Sequence, residues 1–218
     1  MIADESGRGG GPPTARGRRT RQQMVEAAAA LMHARGIAAT GVGDVLAATG
    51  TGKSQLYHHF SGKQGLVLAV IDHQLARVLA AQPRLAADTD GDVRAWADDL
   101  LAVHRGGDGP LSCPLGVLSG QVDDDPVLRG HQAAAFDRWR EGLAHLVAVG
   151  RARGTVAAPD EPDELAGVLL AAVQGGLMLA RLARDVRPLE IALDAALARL
   201  GVHGGSSPGA ARAPADPV

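Results

Sequence analysis

At 218 residues, 46% of them hydrophobic, the chain is long enough to bury a core in one large domain or in a small and a larger one. Aromatic residues make up only 2%, so Ala, Leu and Val carry the packing, and the lone Cys113 excludes a disulfide framework and an all-Cys zinc site. The net charge of −2 hides an asymmetry: Thr14–Lys63 carries seven basic residues against Glu26 and Asp44, whereas acidic residues outnumber basic ones from Gln64 onward. A basic N-terminal module on an acidic remainder suits a nucleic-acid contact at one end only.

Residues 1–19 are rich in Gly, Pro and Arg and read as a disordered basic arm. A helix is expected from Thr20, where Thr20-Arg21-Gln22-Gln23 fits a capping box. Met24, Ala28, Leu31 and Met32 form its buried stripe, and Gly36 stops it. A second helix spans Val42–Thr49, with Gly41 at its cap. After Gly50-Thr51-Gly52 a third spans Lys53–Phe60, with Leu56 and Phe60 facing the core.

This third helix crowds Lys53, Ser54, Gln55, Tyr57, His58 and His59 into under two turns. Buried helices rarely carry so many hydrogen-bonding side chains, whereas a helix in a DNA groove needs them for base edges and phosphates. Gln55 can pair bidentately with adenine and Lys53 with guanine. The pair of helices and its turn therefore read as a helix-turn-helix. The bland alternative is a solvated helix face. Arg16, Arg18, Arg19 and Arg21 suggest a phosphate or minor-groove contact by the arm.

A fourth helix follows over about Lys63–Ala81, closed by Pro83, and a fifth over Asp92–His104; Gly106–Pro110 is a loop. Pro114 is placed to start a short helix through Gln121, and Asp125-Pro126 a long one to about Arg153. Asp163–Arg184 and Pro188–Leu200 form a final pair. The first is apolar on several faces, so a partner subunit is expected to cover it. The stretch Leu165–Leu182 reads as too polar and too short for a membrane span. Residues 201–218 read as a disordered tail. The expected layout is an all-α protein: arm 1–19, helix-turn-helix domain 20–65, helical ligand-binding and dimerisation domain 66–200, tail 201–218. The N-terminus carries no apolar signal region, so a cytoplasmic location is expected.

Ala47–Lys63, AATGTGKSQLYHHFSGK, resembles the helix-turn-helix of TetR-type (TetR/AcrR) transcriptional regulators, roughly A-x-x-G-V-S-x-x-x-L-Y-x-H-F-x-x-K. Ala47, Gly50, Leu56, Tyr57, His59, Phe60 and Lys63 match. The later stretches Cys113–Gly116, Phe136–Trp139 and Gln174–Leu177 look like the ligand domain of one subgroup (LmrA/YxaF-like). The resemblance implies a homodimer whose last two helices form a four-helix interface, and a larger domain that takes a small-molecule effector. It also implies base contacts by Lys53, Ser54 and Gln55, phosphate contacts by Tyr57 and His59, and a backbone contact by Lys63. His58, Arg18 and Arg19 complete the expected DNA surface.

Glycine at 41 and 43 departs from the family pattern. It is expected to weaken the second helix's share of DNA contact and to loosen that helix by about 1 kcal/mol per glycine. Trp96, His104, Cys113, Phe136, Trp139, Gln174 and Met178 are candidate effector contacts, each on an apolar face where core packing is the alternative. No cofactor, metal site, membrane contact or enzymatic activity is expected.

The function read is a ligand-responsive repressor released from a near-palindromic operator. An alternative is a thiol sensor through Cys113, whose place before Pro114 at a helix start could stabilise a thiolate. A remoter one is a nucleotide-dependent enzyme built on Gly50-Thr51-Gly52-Lys53-Ser54, which mimics the end of a phosphate loop but follows no strand.

Overall fold

The computed structural model describes residues 14–106 and 111–202; most of the arm, most of the loop before Leu111 and the expected tail beyond Val202 lie outside them, while Gly201 and Val202, expected to begin that tail, are hydrogen-bonded to the end of the last helix. The described residues form α-helices and short 3-10 segments and no strand: α1 (Ala15–Arg35), α2 (Val42–Thr49), α3 (Lys53–His59), α4 (Gly62–Ala80), α5 (Val93–Arg105), α6 (Pro126–Ala152), α7 (Pro162–Ala183) and α8 (Arg187–Arg199). Two compact units emerge among the described residues, one of 14–83 with 111–141, the other of 84–106 with 142–202.

In the first unit, α1 begins five residues earlier than its sequence suggests. Thr14 is the cap, its Oγ1 accepting from the Gly17 N–H at 3.1 Å. Thr20 lies inside the helix and returns its hydroxyl to the Arg16 carbonyl at 3.1 Å. The competition between two threonines is decided by reach: the earlier cap satisfies an otherwise orphaned N–H and leaves a longer helix intact. Residues 14–19, expected as part of a disordered arm, are thus ordered. Met24, Ala28 and Met32 are fully buried, and Leu31 lies at the edge of that stripe.

Gly41 is the N-cap of α2 rather than an interior residue, and glycine costs little there. The expected loosening at this position does not apply. The missing side-chain cap is replaced from the other side: the Gly41 N–H donates to Asp44 Oδ2 at 2.7 Å. That hydrogen bond holds the Asp44 carboxyl below the ordinary carboxylate range, and Arg35, 3.2 Å away, acts in the same direction. A depressed folded value means the stabilisation is complete above the unfolded value and fades as pH falls through the folded one. Asp44→Ala should therefore lower the denaturation midpoint at pH 7, and the gap between variant and parent should close on acidification below the ordinary carboxylate pKa of about 3.9.

Pro114 does not open an α-helix. The stretch Gly116–Gln121 is a 3-10 segment, fastened at both ends within the first unit. Gln132 Nε2 donates to the Leu115 carbonyl at 2.8 Å, and the Ile37 N–H donates to Gln121 Oε1 at 2.6 Å. Asp125 caps α6 through the N–H groups of Val127 and Leu128 and also accepts from Gln64 at 2.8 Å.

In the second unit, α7 and α8 pack through Leu165, Leu169, Val173 and Leu177 on one side and Leu189, Leu193 and Leu197 on the other, all buried. At Gly176 a Cβ would lie 2.9 Å from the Leu189 Cα, so glycine sets how closely the helices approach. The 22 residues of α7 are long and apolar enough to cross a membrane, contrary to the expectation from sequence. The packing on α8 gives that apolarity another use: one stripe faces α8. A second stripe (Val168, Met178, Leu179 and Leu182, 37–77% exposed) faces outward, as does Ile191 of α8.

Candidate nucleic-acid interface

The turn between α2 and α3 rests on Gly50, which takes the left-handed conformation (φ 64°) that a β-carbon disfavours. The Thr51 N–H returns to the Leu46 carbonyl at 3.3 Å, and the Thr49 and Thr51 hydroxyls lie 2.6 Å apart. Leu56 is fully buried and Phe60 nearly so. These two anchors at i, i+4 fix the rotation of α3 and turn the rest of it outward. Lys53, Ser54, Gln55, Tyr57 and His58 are exposed, and His59 is half-buried. Gly50–Ser54 joins two helices, so the strand–loop–helix frame of a phosphate loop is not what surrounds it.

Several of these side chains have partners already. Gln55 Oε1 lies 3.4 Å from the Gly52 N–H, a long contact that leaves its amide nearly free to turn to another partner. Lys53 Nζ sits 5.9 Å from the centre of the Tyr57 ring. Lys63 donates to the Ala38 carbonyl at 3.3 Å, tying the start of α4 to the turn before α2. Arg21 of α1 stands 5.1 Å over the Phe60 ring, and a β-carbon at Gly17 would lie 3.8 Å from the His59 ring. The first turns of α1 therefore lie beside the end of α3, and Arg16, Arg18 and Arg19 belong to those turns. The first turn of α1 holds no acidic residue, although a helix N-terminus favours one. Partial burial, reinforced by His58 and Arg21, pushes the His59 pKa down.

The candidate effector contacts divide between the units. In the first, Phe136 and the buried Trp139 stack with ring centres 6.2 Å apart and planes at 20°, and the Trp139 indole donates to Gln82 at 3.3 Å. Cys113 is buried, with the Gly116 N–H on its sulfur at 3.2 Å. In the second, Trp96 is a core residue, His104 is half-buried with burial pushing its pKa down, and Gln174 Nε2 is buried without a partner among the described residues. Met178 does not line the protomer's interior: at 61% exposed it belongs to the outward stripe of α7. Gln132 and Ser112 are not legible in the sequence, because an isolated polar residue, on an apolar helical stripe as Gln132 is or in a bend as Ser112 is, looks the same whether or not its partner is present. Among the described residues no group of three or more His, Cys, Asp or Glu is placed to hold a metal ion.

An all-α chain that anchors a short donor-rich helix behind a glycine turn, with a basic helix end beside it, is a helix-turn-helix DNA-binding protein. More particularly, it belongs to the TetR family of transcriptional regulators: the model of bacterial regulatory proteins of the tetR family matches residues 24–70, and that of the tetracyclin repressor-like C-terminal domain matches residues 83–196. An uncharacterised HTH-type transcriptional regulator of Mycobacterium tuberculosis is 30% identical over 184 residues, 78% of this chain and 89% of that one. The HTH-type transcriptional repressor DhaR of Mycobacterium sp. strain GP1 is 26% identical over 78% of this chain and 86% of its own length. A TetR transcriptional regulator from Chloroflexus aurantiacus superposes with a TM-score of 0.70 at 32% identity, covering 86% of this chain and 97% of that structure.

Proposed function

We propose that this regulator is a homodimeric repressor whose α3 reads a near-palindromic operator and which a small molecule releases. The observation that carries the reading is the outward set on α3, rotated into place by Leu56 and Phe60. Lys53, Ser54 and Gln55 face bases; Tyr57, His58, His59, Lys63, Arg18 and Arg19 hold phosphates. The similarity to DhaR, a repressor by name, favours repression over activation. The helix-turn-helix domain is taken as about residues 20–65 and the effector and dimerisation domain as 66–200. The protein is not an enzyme, and it works in the cytoplasm, where its DNA is.

The test is titration of selected operator DNA by fluorescence anisotropy at several salt concentrations. Lys63→Ala should reduce the log–log salt slope by about one unit, since one phosphate contact is lost. An unaltered slope removes Lys63 from the phosphate contacts.

The outward apolar stripe of α7 gives the dimer its seam. Contiguous exposed apolar surface of this kind marks an interaction site, and a two-fold interface makes it cover its own copy. Met178→Glu combined with Leu182→Glu should convert the dimer to monomer in sedimentation equilibrium while leaving helicity intact. A dimer that persists in the double variant places the seam elsewhere.

A further inference from the structure

Gln132 is 4% exposed, and its two amide atoms fare differently. Its Nε2 donates twice, to the Leu115 carbonyl at 2.8 Å and to Ser119 Oγ at 3.2 Å. These acceptors fix the amide's orientation, because turning it over would set its oxygen against the Leu115 carbonyl oxygen. Its Oε1 is thereby left buried with no partner among the described residues. Three residues before Leu115, Ser112 is 7% exposed, and its Oγ is likewise buried and unpartnered. Buried polar atoms left unmatched cost stability and are uncommon in native proteins.

What stands beside Gln132 indicates what would match it. Phe136 lies one helical turn further along α6 on the same face, and it stacks on Trp139. The Trp139 N–H is already taken by Gln82. The stripe therefore offers an aromatic wall and, at one end, an unused amide oxygen fixed in direction.

We infer that Gln132 is the polar anchor of the effector site, accepting a hydrogen bond from the neutral hydroxyl of a flat aromatic molecule that stacks on Phe136. This rests on the reading of the chain as an effector-released repressor. The oxygen is buried and carries no charge, so a charged donor would lose more hydration than it offsets and the site favours an uncharged one. The anchor also has a route to the DNA module: Gln132 holds one end of the 113–121 stretch, whose other end, Gln121, holds the Ile37 N–H between α1 and α2.

The probes are 2-naphthol and 2-methoxynaphthalene, titrated into the full-length dimer by calorimetry. The parent protein should bind 2-naphthol at least about fivefold more tightly than the ether, the size of one hydrogen bond. Gln132→Leu should erase that preference while keeping affinity for the ether. Equal binding of both probes by the parent, or failure of both to bind, overturns the proposal whether or not the variants fold. A preference that survives in Gln132→Leu overturns it too. Operator affinity in the same samples separates the two readings. Gln132-dependent binding that leaves operator affinity unchanged would sink the effector reading and keep the site; operator release by probes indifferent to Gln132 would do the reverse.

Discussion

Gly91→Ala should destabilise the second unit by about 2–4 kcal/mol, combining a strained backbone with a steric clash. Gly91 has φ of 73°, a conformation that L side chains rarely adopt. A β-carbon there would lie 2.5 Å from the Gly150 nitrogen and 2.7 Å from the Val149 carbonyl carbon, both backbone atoms of α6 that cannot turn away. The contact is reciprocal: a β-carbon at Gly150 would lie 2.6 Å from the Gly91 carbonyl oxygen. Two glycines thus let the start of α5 cross α6 at a distance no other residue allows. Differential scanning calorimetry should show the midpoint falling by about 4–16 °C, at roughly 2–4 °C per kcal/mol for a chain of this size. A fall below 1 °C would mean that the crossing relaxes without cost.

Lys53→Ala with Gln55→Ala should lower operator affinity by about 10²-fold or more and leave the fold untouched. Each well-aligned base contact contributes about 1–3 kcal/mol of discrimination, and about 1.4 kcal/mol is tenfold. Both side chains are exposed, and the long Gln55 contact to Gly52 holds little of α3's stability. Binding to unrelated DNA should change far less, because it rests on attraction to phosphate charge, to which, of this pair, only Lys53 adds a charge. A parallel fall on operator and unrelated DNA would show that the pair supplies charge rather than sequence reading.

The helix-turn-helix was legible because its signals are local. Gly50 has to turn left-handed, Leu56 and Phe60 have to anchor, and a helix with that many polar side chains has to face outward. The start of α1 is not legible locally because Thr14 and Thr20 are equally good caps in isolation, and only the extra helix gained over residues 15–19 favours the earlier one. Gly41 looked like a weakness because its compensation lies three residues on, in a carboxylate whose direction the sequence does not display. Met178 and Trp139 carry the same apolar signal, yet one faces outward and the other is core; helical periodicity cannot say which of two apolar stripes on α7 meets α8 and which is left uncovered. Gln132 was invisible for a related reason, since what distinguishes it is a partner its oxygen lacks.

The most direct test is selection of DNA fragments by the purified protein, followed by sequencing. The selected sequence should be a near-palindrome whose half-sites are centred about one or two helical turns apart, roughly 10 or 20 base pairs, and the Lys53→Ala, Gln55→Ala variant should lose that enrichment. No enriched sequence, or the same sequence enriched by the variant, would contradict operator reading by α3.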